Sequence, residues 1–267
     1  MVQRSFIKWI GGKARSANQI VSYFPKDFKE YFEPFLGSGV IYFNFNPQGA
    51  YLSDSEERLI YTFSCVKNEL EDLKKELLSL KNTEDDYYKI REEFNNCSIE
   101  KSVRQAARFI YLNKCGYNGL FRVNKSNKFN VPYGKTKSDS HLDFDNLTRC
   151  SRALASTTLM SVGYDYILDI VLPGDFVYMD PPYLKEDGNS FIGYNVNQFD
   201  AKSHKELAER CYELDERGVK FAVSNSNMPV VSDLYYGFNI VEIMTTRSVS
   251  RDVSKRGSHA EVLITNY

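Results

Sequence analysis

Four apolar residues, Phe176-Val177-Tyr178-Met179, run directly into Asp180-Pro181-Pro182-Tyr183. Proline has no amide hydrogen to give to a sheet ladder and locks its own φ, so a strand that meets two prolines must stop. The apolar run is therefore predicted as a buried strand that ends in a rigid turn. A rigid turn accounts for the prolines but not for the acid and the phenol that flank them. Other segments repeat the pattern of strand and turn. Glu30–Phe35 reads as a short aromatic strand, followed by Leu36-Gly37-Ser38-Gly39 and an apolar stretch to Phe45, which predicts strand, glycine turn, helix. Ala50–Ser53 is a further strand ending at Asp54, and Val219–Ser224 another. The latter follows a helix predicted to start at a capping box of Ser203 with Glu206 and to stop at Gly218. Strands alternating with helices predict a parallel α/β sheet with crossovers.

Residues 57–147 break this alternation. Leu70, Leu73, Leu77 and Leu80 lie at helical spacing among charges, and Val103, Ala106, Ala107, Ile110 and Tyr111 fit the same template in the next helix. The segment is first acidic and helical, then basic, aromatic and rich in Asn and Lys. The segment is predicted as an inserted subdomain, with residues 1–56 and 148–267 forming the main domain.

Composition narrows the class. The chain has 267 residues, 42% hydrophobic and 26% charged, as globular proteins do. No stretch approaches a membrane span, and MVQRSFIKWIGGKARS lacks the apolar core of a signal peptide, so a soluble cytoplasmic protein is expected. Five cysteines, none closer than 18 residues to the next, exclude CxxC motifs and read as free thiols, and His141, His204 and His259 make no local metal cluster. No metal is expected. The net charge of −1 conceals three basic segments: residues 1–15 and 101–137 hold no acid, and Arg247, Arg251, Lys255 and Arg256 outweigh Asp252. In the second, Tyr111, Tyr117, Phe121, Phe129 and Tyr133 interleave with the bases. Phosphates favour Lys and Arg, and exposed bases favour aromatic faces, so nucleic acid is the expected partner.

The glycine turn lets a ligand approach the backbone, and an acid at the end of the following strand, Asp54, can accept two ribose hydroxyl hydrogens. A nucleoside cofactor follows, with a dinucleotide and S-adenosylmethionine both open. Asp180-Pro181-Pro182-Tyr183 favours the second. The lone pair of an exocyclic adenine amine is delocalised into the ring; a carboxylate and a carbonyl that grip its two hydrogens can localise it, while Tyr183 offers a face for the base. A methyl sulfonium in line then reacts by direct displacement, chiefly a matter of positioning.

With these residues in place, the chain resembles the Dam-type DNA adenine N6-methyltransferases of class alpha. The resemblance rests on Lys8-Trp9-Ile10-Gly11-Gly12-Lys13, Glu33-Pro34-Phe35-Leu36-Gly37-Ser38-Gly39, Asn118-Gly119-Leu120-Phe121-Arg122-Val123-Asn124, Phe129-Asn130-Val131-Pro132-Tyr133-Gly134 and the tetrapeptide, in the family's order. It implies a Rossmann-like α/β methyltransferase sheet with an inserted helical target-recognition domain, and S-adenosyl-L-methionine as methyl donor. It implies cofactor contacts from Trp9, Lys13, Phe35, Gly37, Gly39, Asp54 and Asp180. DNA contacts fall to Lys8, Tyr117, Asn118, Leu120, Arg122, Asn124 and Pro132, and catalysis to Asp180, Pro181, Pro182 and Tyr183. Double-stranded DNA with GATC as target and a flipped-out adenine, a functional pairing with a restriction endonuclease, and a monomer complete the expectation. Where the family usually has Asp-x-Asn this chain has Asp54-Ser55-Glu56, so Glu56 stays outside the site. Three rivals remain: an RNA adenine or cytosine N4 methyltransferase, a nicotinamide-dependent enzyme using the glycine turn, and an idle DNA-binding module.

Overall fold

A computed structural model describes residues 4–97, 100–137, 139–183, 199–244 and 260–267. In chain order the elements are α1 (Ala17–Ser22), β1 (Tyr31–Glu33), α2 (Val40–Phe45), β2 (Ala50–Ser53), α3 (Glu57–Asn68), α4 (Leu70–Ser79), α5 (Glu84–Asn96), α6 (Val103–Cys115), a short 3₁₀ turn (Tyr117–Gly119) and α7 (Phe144–Leu154). The chain continues through β3 (Thr157–Met160), α8 (Tyr164–Ile170), β4 (Phe176–Met179), α9 (Ala201–Glu216), β5 (Lys220–Ser226), α10 (Pro229–Leu234), β6 (Asn239–Met244) and β7 (Ala260–Thr265).

One sheet of seven strands runs in the order β3-β2-β1-β4-β5-β7-β6, parallel except for β7, which is antiparallel to both its neighbours. This is a Rossmann-like order with an antiparallel strand slipped in near one edge. The order reverses between β1 and β4, where Phe32 pairs with Val177, and it is outside the carboxyl ends of such strands that open α/β sheets bind ligands.

Alternation along the strands separates two cores. Tyr31, Phe176 and Tyr178 face one side, and Phe32, Val177 and Met179 face the other, against Leu207, Cys211 and Leu214 of α9. The first core continues without a break into α3–α7, which occupy the place of a single crossover helix between β2 and β3. Within them α6 is buried almost all round, with α3, α4 and α5 packed on it.

Several expectations change in detail. Leu70, Leu73 and Leu77 lie on α4, which is parted from α3 at Glu69, and Leu80 terminates it. Helix α9 begins before Ser203: Asp200 is its cap and accepts from the Ser203 amide at 2.9 Å, because an acid one turn earlier reaches the free amides first. Glu206 pairs instead with Lys202 at 3.1 Å. Gly218, at φ +71°, ends the helix as expected. The five cysteines are free, and among the described residues no helix is long and apolar enough to cross a membrane.

Candidate active site

Strand β4 delivers Asp180 to the carboxyl edge of the sheet, where the Lys13 ammonium lies 2.9 Å from its Oδ1. Lys13 is 5% exposed, donates to the Gly11 carbonyl at 2.8 Å, and stands 4.4 Å from the centre of the Tyr183 ring. The Tyr183 hydroxyl donates in turn to Oε2 of Glu261 on β7, at 3.2 Å. Burial pushes the Asp180 carboxyl up, and Lys13 pulls it back down by favouring the charged form.

Beside it, β1 ends in Glu33. This buried carboxyl accepts from the Tyr31 hydroxyl at 2.7 Å and also engages the backbone of Tyr42 in the first turn of α2, whose cap residue Gly39 has no side chain to offer. Burial pushes Glu33 up to about 8 from the ordinary 4.5. A carboxyl whose pKa is higher folded than unfolded stabilises the fold fully below pH 4.5, and that stability is lost as pH rises through 8. Glu33→Gln is therefore expected to flatten the fall in stability between pH 5 and 8. The effect is at most about 1.4 kcal/mol per pH unit, read from urea midpoints. Asp54, pushed up to about 6 by burial, leaves a residual slope of the same sign at lower pH.

The glycine turn is tied to β2. Oδ2 of Asp54 accepts from the Gly37 amide at 2.9 Å, and Oδ1 from the Glu56 amide at 3.0 Å. Gly37 has φ +50°, and a Cβ there would come 2.9 Å from Cδ1 of Trp9. Trp9 lies between this turn and Phe121, on which it stacks at 5.2 Å with an interplanar angle of 17°. On the other side Phe35 stacks on Tyr164 at 5.3 Å and meets the edge of Phe199 at 5.8 Å. Every residue assigned to cofactor or catalysis thus lies around the ends of β1, β2 and β4.

The residues assigned to DNA gather on a separate stretch, where Gly116 bridges Tyr133 and Val123 bridges Phe129. Tyr117 is 53% exposed, so it is no packed core aromatic, and its amide donates to the Pro132 carbonyl at 2.9 Å. Arg122 is exposed, its Nε held by Oδ1 of Asn130 at 2.7 Å. The side-chain carbonyl of Asn124 shapes the turn by accepting from the Ser126 and Lys128 amides, both at 3.0 Å. Asn118 has φ +55°, and Leu120 is half-buried against the core. Lys8 is brought to this stretch by Asn113, which accepts from the Lys8 amide at 2.9 Å and donates to the Lys8 and Gly119 carbonyls at 2.8 and 3.1 Å.

The basic run 101–137 is narrower at the surface than its composition suggests. Lys101 pairs with Glu57 at 2.6 Å, and buried Arg108 with Glu93, also at 2.6 Å, because folding places the acidic helices α3 and α5 against α6. Lys13, counted among the basic residues of 1–15, is likewise internal. The bases from Arg247 to Arg256 lie outside the described residues.

The family described as D12 class N6 adenine-specific DNA methyltransferase matches residues 9–249. The chain belongs to this family. Across its whole length it is 36% identical over 289 residues to the type II methyltransferase M.MjaIII of Methanocaldococcus jannaschii, all of which is covered. It is 34% identical over 271 residues to the type II methyltransferase M1.LlaDCHI of Lactococcus lactis subsp. cremoris, covering 99% of this chain and 95% of that one. With the DNA adenine methylase of Haemophilus influenzae it shares 31% over 268 residues, 97% and 92% of the two chains. The chain is thus an adenine-specific DNA methyltransferase.

Reading the methyltransferase from sequence missed Glu33, Glu261, Arg58 and the ring of Phe199. Glu33 and Glu261 carried one faint signal each, an acid at the end of an aromatic strand and a single acid among the apolar residues of another. Arg58 and Phe199 carried none, since Asn127 and Phe121, which the first reaches, and Phe35, which the second meets, are remote in the chain.

Proposed function

We propose that this methyltransferase takes the methyl group of S-adenosylmethionine and places it on N6 of an adenine flipped out of duplex DNA, at GATC. The observation that carries the reading is the adjacency, at the point where the strand order reverses, of Asp180-Pro181-Pro182-Tyr183 and the glycine turn held by Asp54. The donor set suits the cofactor: the half-buried Asp54 carboxylate beside the glycine turn for hydroxyls, the aromatic cluster of Phe35, Tyr164 and Phe199 for a flat ring, and carboxylates near a cation. When bound, S-adenosylmethionine supplies an electrophilic methyl on its sulfonium.

The chain's own residues do the rest. Asp180 and the Pro181 carbonyl accept the two amine hydrogens and localise the lone pair on N6. Lys13 anchors one carboxylate oxygen, and the prolines fix the angle. Tyr183, steadied by Glu261 and Lys13, presents its face to the base. Removing the base from the stack costs a few kcal/mol, which contacts from Lys8 and the Arg122 stretch to the duplex offset. In this reading residues 57–147 are the target-recognition unit.

The test is transfer of labelled methyl from S-adenosylmethionine to DNA, with modified bases mapped by single-molecule sequencing. Adenine modified within GATC is the expected result. Methylated cytosine, methylation of RNA alone, or cofactor binding without transfer would overturn it. Arg122→Ala is expected to cost about 1–3 kcal/mol and to relax specificity at one base pair, since a guanidinium can bond a guanine edge bidentately. Binding measured on a panel of single-base variants checks this. Uniform weakening with a salt slope reduced by about one would make Arg122 a phosphate contact.

A further inference from the structure

Glu56, the departure from the family's usual Asp-x-Asn, is not idle. Its carboxylate accepts from Arg58 Nε at 2.6 Å and Nη2 at 2.9 Å, a bidentate pair with both side chains mostly buried. The same guanidinium reaches across to the insert: Nη2 donates to Oδ1 of Asn127 at 3.0 Å, Nη1 to the Asn127 carbonyl at 3.3 Å, and its face lies 5.1 Å from the centre of the Phe121 ring. Asn127 is at the tip of the turn that follows Arg122, with φ +55°. Phe121 stacks on Trp9, Trp9 seats against Gly37, Gly37 donates to Asp54, and Asp54 accepts from the Glu56 amide. The contacts close into a ring joining the glycine turn to the Arg122 stretch.

We infer that Glu56 and Arg58 are positioning residues, a strap that holds the Arg122 stretch in register with the cofactor turn, so that cofactor and DNA each tighten the binding of the other. The inference rests on the proposed function above. An asparagine at 56 would have no charge to grip a guanidinium bidentately, as Glu56 does here. A fork of donors and a flat face on Phe121 are both required of residue 58, and lysine supplies neither. Reciprocity is obligatory: whatever factor the cofactor adds to DNA affinity, DNA adds to cofactor affinity.

The test measures the dissociation constant of a duplex carrying the mapped target, with and without saturating S-adenosylhomocysteine, for the full chain and for Glu56→Gln, Arg58→Lys and Asn127→Gly. The unaltered chain is expected to bind the duplex about 10-fold more tightly with S-adenosylhomocysteine, within the usual range of coupling between sites. In Arg58→Lys that factor is expected to fall close to one, and in Glu56→Gln to fall partway. Turnover at saturating DNA should hold while KM for DNA rises. Asn127→Gly keeps the positive φ and removes one anchor, so it preserves the test if Arg58→Lys fails to fold, and its coupling factor should also drop. Coupling undiminished in folded variants, even with a lowered melting temperature, would overturn the strap and leave Arg58 as packing. Independent binding of the two ligands by the unaltered chain would overturn it while sparing the proposed function. Failure of that chain to bind either ligand would defeat the proposed function itself.

Discussion

Asp180→Ala is expected to lower methyl transfer by about 10²–10³-fold or more, the scale on which loss of one preorganised polar group acts in a buried site. The argument has two parts. In the proposed reaction the Asp180 carboxyl is the side-chain acceptor that the tetrapeptide offers to N6, and without it the lone pair would stay in the ring. It is also the partner of Lys13, an ammonium only 5% exposed, and stripping a buried charge of its partner costs about 3–5 kcal/mol. Activity and stability should therefore both fall, and the double variant Lys13→Met with Asp180→Ala, compared with Lys13→Met alone, separates them. It is expected to recover most of the melting temperature and none of the turnover. Single-turnover assays beside thermal denaturation give both quantities, and turnover restored in the double variant would mean that Asp180 acts only through the fold.

Gly37→Ala is expected to weaken binding of S-adenosylhomocysteine by about 10-fold or more, equivalent to about 1.4 kcal/mol. At φ +50° a side chain is strained by about 1–2 kcal/mol. The new methyl would also meet Trp9 Cδ1 at 2.9 Å, and Trp9 cannot simply swing aside because Phe121 and Phe109 stack against it. The turn should shift, taking with it the Gly37 amide that Asp54 holds. Gly163→Ala is the control: nothing lies within 4 Å of its added methyl and its φ of −68° suits any residue. Calorimetric titration of both variants decides the matter, and equal affinities would show that the turn does not shape the cofactor site.

How much was legible beforehand follows from the range of each interaction. The strands Ala50–Ser53 and Phe176–Met179 were read to the residue, because an apolar run bounded by an acid or by prolines is a local signal. Helix α5 falls in the stretch read as acidic and helical but could not be delimited: Tyr87, Ile90 and Phe94 carry its buried face, yet acids and polar residues dilute the pattern. The hairpin of β6 and β7 went unseen because Asn239–Met244 is largely exposed at the sheet edge and has no clean alternation. A segment of uniform charge read as one basic face turned out to be divided, since ion pairs with α3 and α5 depend on which helices become neighbours.

The sequence by itself determined the reaction class and the motifs that carry it. A tetrapeptide of fixed chemistry, a glycine turn and an acid after a strand each act through atoms close together in the chain, so their meaning survives without coordinates. Only the tertiary structure decided who touches whom. It set Lys13 against Asp180 across 167 residues of chain, Glu261 against Tyr183, and Arg58 against Asn127. Such pairs form because the order in which strands join a sheet, and the packing of helices around α6, bring distant segments together, and no local pattern of residues records that order.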